Sequence, residues 1–226
     1  MTEQNVYPFR ISATIDKPTN GKSATYGYES VEIRDAKHLY RVVNRMTIAP
    51  SFFKYKAGEN WNNGSGIAQG GHRRNDNVVS GGSVLMIDCD GHMKDGTPQY
   101  QIIEEKIEKY HYVKVPSASG KDYKWHYIIP TKRTRSIYPQ KFKWETNLFF
   151  KKIGIAVDDV GRGASSMCDL QVSLQLSRAL APAIAKGELT EEEAEKRSSI
   201  HPGEILDLED APDDISIEIG STKQAV

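Results

Sequence analysis

Apolar positions along this chain come in short runs whose spacing changes from one run to the next, and the change of period separates helices from strands. From Arg34 to Met46 the apolar residues Leu39, Val42, Val43 and Met46 recur at helical spacing, with Asp35 as cap or first-turn residue. Ser83-Val-Leu-Met-Ile-Asp-Cys-Asp-Gly91 is instead a continuous apolar run, the pattern of a buried strand ending in a charged tip. Thr97 to Tyr110 reads as a helix with Thr97 as cap and Pro98 at its first position. Tyr112 to Val115 and Trp125 to Ile129 read as strands on either side of the polar loop 116–124, with Pro130 stopping the second. Ser136 to Ile153 places Phe142, Phe149, Phe150 and Ile153 on one helical face and ends at Gly154. Residues 7–31 suggest strands and turns, 57–82 a long Gly- and Asn-rich loop, 166–170 a short strand, and 171–180 a loop or short helix. Thr190 caps a polar helix with acids in its first turn, and 201–226 reads as a tail.

Strands cluster around the carboxylate-tipped run and alternate imperfectly with helices. The expected class is therefore α+β, with a mixed or antiparallel central sheet flanked by helices and followed by a C-terminal helix and acidic tail. The expected division is a domain over 1–187, made of an N-terminal module (1–80) and a core (81–187), then the acidic segment 188–226.

Composition narrows the function classes. The chain has 226 residues, two cysteines and no long apolar run, which argues against a disulfide framework and a membrane span. With no signal-peptide pattern at the N-terminus, the expected compartment is a reducing cytoplasm. Net charge is zero but unevenly spread: Glu188 to Val226 carries 12 acidic and 3 basic residues, so the preceding body has an excess of nine positive charges. A basic body suits a nucleic-acid or nucleotide ligand.

The candidate chemistry begins at Asp88 and Asp90. Residues two apart in a strand project to the same side, so these carboxylates face together and Cys89 faces the core. Two close carboxylates repel unless a positive group lies between them, and a divalent cation is a common solution. A strand end running into a polar turn is the alternative. Ser117-Ala-Ser-Gly-Lys121 with Lys124 and His126 supplies small residues, amides and ammonium groups suited to phosphate. Asp169, or else Asp158 and Asp159, offers a third carboxylate for a two-metal site. Arg73, Arg74, Lys132, Arg133, Arg135, Arg162 and Arg178 are available for phosphate contacts.

The order of these pieces resembles the archaeo-eukaryotic primase superfamily, in particular the primase-polymerases of phages, plasmids and other mobile elements. The resemblance spans about residues 45–185 in element order. Asp88-Cys-Asp90 is similar to the family's first motif, the metal-binding pair. His126 is similar to the second-motif histidine that contacts the nucleotide triphosphate. Asp169 is similar to the third-motif metal ligand, followed by a family-like Ser177-Arg178, and Arg73-Arg-Asn-Asp-Asn77 to the segment preceding the first motif. The second motif usually carries Ser two residues before His, where this chain has Lys124; Ser117 or Ser119 are the substitutes.

The resemblance implies an RRM-like sheet and a DNA primase or template-directed polymerase, with two Mg²⁺ or Mn²⁺ ions on Asp88, Asp90 and Asp169 and with His126 among the catalytic residues. It implies nucleotide contacts from Ser117, Ser119, Gly120, Lys121, Lys124, His126 and Arg178, and template contacts from Arg73 and Arg74. The implied partners are single-stranded DNA, NTPs or dNTPs, and a replicative helicase or other replication protein, in the cytoplasm of a bacterial or archaeal host. Two other readings stand beside it. A haloacid-dehalogenase-like phosphatase would use Asp88 as nucleophile and Asp90 as acid/base, but gives His126 no role. A non-catalytic nucleic-acid-binding module would explain the charge but not the carboxylate pair.

Overall fold

The computed structural model describes residues 7–15, 27–54, 71, 73, 77–89, 91–117, 121–155 and 180–209. In chain order the elements are β1 (Phe9–Thr14), β2 (Glu29–Ile33), α1 (Ala36–Arg45), β3 (Thr47–Ala49), β4 (Ser51–Phe53), β5 (Val78–Gly81), β6 (Val84–Cys89), α2 (Gln99–Ile107), β7 (Tyr112–Pro116), β8 (Trp125–Pro130), α3 (Pro139–Lys152), α4 (Leu180–Ala185), α5 (Glu191–Glu195) and β9 (Ser199–His201). Three antiparallel sheets result, ordered β2-β1-β3, β4-β5 and β6-β8-β7-β9. The class is α+β. Among the described residues no helix is long and apolar enough to cross a membrane.

The four-stranded sheet is apolar on both faces, which explains why β6 reads as a continuous hydrophobic run rather than an alternating one. Val84 and Met86, with Val113, Val115 and Ile128, pack against Leu39, Val42 and Val43 of α1 and against Phe9, Ile11 and Ile48 of the N-terminal sheet. Leu85, Ile87 and Cys89, with Tyr127 and Ile129, pack on the other side against Ile103 and Ile107 of α2 and Phe149 and Phe150 of α3. Cys89 is fully buried, as its place in the alternation predicts.

The helices start and stop for local reasons. Asp35 caps α1, its carboxylate accepting from the His38 amide at 2.7 Å. α3 has Pro139 in its first turn, where its missing N–H costs nothing, and it is followed by Gly154 at φ +73°, a conformation that favours glycine. Thr190 and Glu193 form a reciprocal capping box at α5.

Four expectations need correction. Thr97 does not cap α2: its own amide is held by Asp95 at 2.9 Å, and Pro98 takes the cap position without a side-chain bond. The long loop 57–82 ends early, because 78–81 form β5 against β4. Pro130 lies within the end of β8, opposite Val84, instead of stopping the strand one residue earlier. The tail expected from residue 201 is structured as far as Leu208. β9 pairs with β7, Glu204 exchanges backbone bonds of 2.7 Å with Lys109 and His111, and Leu206 and Leu208 enter the core. Gly203 makes this possible, since a Cβ there would lie 2.4 Å from the Tyr110 carbonyl carbon.

Candidate functional site

The pairing of β6 with β8 decides what stands beside Asp88. The register matches Val84 with Pro130, Met86 with Ile128 and Asp88 with His126. Directly opposed residues on one face are the closest side-chain neighbours in an antiparallel pair. His126 is therefore brought to Asp88 by a register that four apolar pairs hold in place. The His126 Nε2 to Asp88 Oδ1 distance is 3.0 Å. The His126 side chain is 7% exposed, whereas that of Asp88 is 30% exposed, so the pair lies where the buried face opens to solvent.

This pair is incompletely satisfied. The contact is close, but it is not an aligned hydrogen bond: among the described residues the buried Asp88 Oδ1 accepts none, and the buried His126 Nδ1 has no partner. Each such atom costs about 1–3 kcal/mol relative to a satisfied one. A buried unsatisfied pair at the edge of a core fits a binding site that a ligand or ion completes.

The segments on either side of the pair meet one another. Ser117 donates its amide to the Lys124 carbonyl at 3.1 Å, carrying the β7–β8 hairpin one step beyond its strands. Ser117 is buried, Lys124 half-buried and Lys121 exposed at the tip, with its ammonium 5.7 Å from the Tyr123 ring centroid. His92 packs on the same tyrosine, with ring centroids 4.5 Å apart. Gly91 is held at two points by Gln99, through its amide at 3.0 Å and its carbonyl at 3.1 Å. The turn after β6 is thereby fastened both to α2 and to the hairpin tip. The sequence reading missed His92 and Tyr123; their places, two residues after Asp90 and three before His126, were the available signal.

Asp88, His126, Ser117, Lys121 and Lys124 thus share one end of the sheet. Asp90, Ser119, Gly120, Asp158, Asp159, Asp169, Arg178 and Arg74 lie outside the described residues, as does Arg162. Arg73 follows Gly71, which is bridged to Tyr28 and packs against Phe53, so it is anchored to the β4 side of the molecule. The expectation that Lys132, Arg133 and Arg135 converge on the carboxylates is incorrect. They follow β8 at the end opposite His126, about 20 Å along the strand direction at about 3.3 Å per residue. Arg135 is buried against Glu145 at 3.3 Å, the Phe142 carbonyl at 2.8 Å and Thr146 at 2.5 Å, and burial lowers its pKa to about 10. Arg133 also reaches Glu145, and Lys132 pairs with Asp207.

The residues present fit a divalent cation in one respect. The Asp88 carboxylate is a hard, acceptor-only group whose side chain is 30% exposed, while its Oδ1 is buried against His126. Among the described residues there is no group of three side chains able to hold a metal.

No protein-family model matches the chain, and no curated protein matches it. A solved structure to which it is similar is the AEP domain of the primase-polymerase (PrimPol) of cyanophage S-2L. The identity is 9%, over 90% of this chain and 86% of that one, with a TM-score of 0.35. A likeness at this level does not establish a common fold.

Proposed function

We propose that this chain is a DNA primase or template-directed nucleotidyltransferase that makes primers on single-stranded DNA, with 1–187 as its catalytic region and a phage, plasmid or other mobile element as its setting. The observation that carries the reading is the pairing of Asp88 with His126, two motif residues 38 positions apart, at 3.0 Å across β6 and β8. The phosphatase reading leaves His126 without a role, and the simple binding module leaves the buried carboxylate unexplained.

In this reading Asp88, Asp90 and a third carboxylate, Asp169 or Asp158/Asp159, hold two Mg²⁺ or Mn²⁺ ions, which when bound acidify a 3′-hydroxyl and stabilise departing pyrophosphate. His126 fixes the Asp88 carboxylate from the adjacent strand and borders the triphosphate. Lys121 and Lys124, with Ser117 and the amides of Ser119 and Gly120, neutralise the β- and γ-phosphates. The fastening of Gly91 to Gln99 and of His92 to Tyr123 preorganises the turn that carries Asp90. Arg178 contacts the nucleotide, and Arg73 and Arg74 the template backbone. A replicative helicase or other replication protein is the natural partner, in the cytoplasm of the host cell.

The test pairs two assays on the full chain with Mg²⁺ or Mn²⁺: nucleotide incorporation on a single-stranded template, and hydrolysis of a simple phosphomonoester. Incorporation without monoester hydrolysis is expected. Hydrolysis without incorporation would replace the proposal with the phosphatase.

A further inference from the structure

The far end of the central sheet carries a second concave surface. A cleft of about 650 Å³ opens where β1, β2, β4 and β5 meet the turn after β8. Its size is within the range of about 300–1,000 Å³ typical of ligand sites. Ser83 and Thr131, at its floor, sit at the opposite ends of β6 and β8 from Asp88 and His126, about 17 Å away at about 3.3 Å per residue.

The lining is chemically one-sided. Arg10, Lys132 and Arg133 contribute positive charge, five serine or threonine residues contribute hydroxyls, and among the described residues none that lines the cleft is acidic. Arg10 is exposed and donates to Ser30, to its hydroxyl at 2.6 Å and its carbonyl at 3.4 Å; among the described residues it forms no ion pair, although Glu32 lies opposite it on β2. Lys132 is paired with Asp207 at 3.1 Å, but both side chains are largely exposed, so the pair is worth little and can be exchanged for another anion. Arg133 is engaged with Glu145 and the Leu208 carbonyl and acts as a fixed part of the wall. Phe52, half-buried, and Val79, 45% exposed, add an aromatic and apolar side.

Cations and hydroxyls beside an aromatic wall match a phosphodiester strand whose backbone meets the charges while a base stacks on the ring. We infer that this cleft is a binding site for single-stranded nucleic acid, separate from the Asp88–His126 pair. It binds sequence-independently, through Arg10 and Lys132 to phosphates and through Phe52 to a base. The site goes beyond the proposed chemistry and is read by binding alone, so it stands or falls independently of polymerase activity.

The experiment titrates the full chain with a labelled oligothymidylate, following fluorescence anisotropy over a range of salt concentrations. Substituting both Arg10→Gln and Lys132→Gln is expected to weaken binding about tenfold or more and to flatten the slope of log K against log salt by about 1.4, at about 0.7 per phosphate contact. Arg10→Lys with Lys132→Arg, which keeps the charge, restores most of the affinity. Phe52→Leu weakens binding without changing the slope, because it removes stacking and no ion contact. Unchanged affinity and slope in the double glutamine variant, with its melting temperature intact, overturns the site. Competition by inorganic phosphate as effective as that by the oligonucleotide overturns the strand assignment and leaves a small-anion site.

Discussion

Single residues carry the sharpest contrasts in this protein. Asp88 and Glu145 are both buried or half-buried acids beside a basic partner, yet their surroundings differ. Glu145 is 2% exposed and accepts from both Arg133 and Arg135, a closed network. Asp88 is 30% exposed, and among the described residues its buried Oδ1 accepts no hydrogen bond. Glu145→Ala leaves the fully buried Arg135 guanidinium without its carboxylate, and is expected to cost about 3–5 kcal/mol in chemical denaturation. A cost below about 1 kcal/mol would mean the pair is dispensable.

Alkaline pH probes the other face of the sheet. Burial pushes Tyr112 up to about 12 and raises Tyr127 as well, with Cys89 and Glu104 adding to the latter. A phenol with a raised folded-state pKa contributes stability that is complete below the unfolded value, near 10, and is lost as pH rises through the folded value. Stability should therefore fall above about pH 10. Tyr127→Phe, which loses a 2.8 Å bond to Glu104, is expected to be about 1–2 kcal/mol less stable at neutral pH but to decline less steeply above pH 10. Parallel decline of the two proteins would contradict this assignment. At this scale the sequence made the inward turn of Cys89 legible through alternation. It misassigned Arg135, because a lone arginine in a string of basic residues carries no sign of the buried glutamate ten positions later.

At the scale of elements, period and punctuation were enough for the main helices and for β6, β7 and β8, since their buried faces repeat with the geometry of the element. The short strands were not legible. β3, β4 and β9 have three residues each, too few to show a period, and they exist because a neighbouring strand completes their backbone bonds. The C-terminal segment shows this most clearly. Glu204, Asp207 and Glu209 face solvent, but Leu206 and Leu208 between them are core residues, and Gly203 allows the close approach to Tyr110 that delivers them. Leu206→Ala is expected to destabilise the protein by about 2–5 kcal/mol, measured by denaturant unfolding. Loss of less than 0.5 kcal/mol, within the ordinary surface range of about ±0.5 kcal/mol, would show that this segment docks without contributing to the core.

At the scale of the whole molecule, one antiparallel sheet gives the protein two working ends. β6 runs out to Asp88 and β8 starts near His126 at one end, while the other end opens on a cleft with Arg10 and Lys132. The basic excess noted in the sequence is thus divided: part of it is consumed in the internal network around Glu145, part faces the cleft, and part lies at the hairpin tip with Lys121 and Lys124. Charge asymmetry alone could show that an anionic partner was expected, but not at which end it would sit.

The central claim is that the Asp88–His126 end performs template-directed nucleotide transfer. Its most direct test is incorporation of labelled nucleotide on single-stranded DNA by the full chain with Mg²⁺ or Mn²⁺, compared with Asp88→Asn, an isosteric change with little expected effect on folding. The account predicts template-dependent incorporation by the parent and a loss of at least about a thousandfold in the variant, about 4 kcal/mol of transition-state stabilisation. Equal incorporation by parent and variant, or none by the folded parent with either ion, would contradict it.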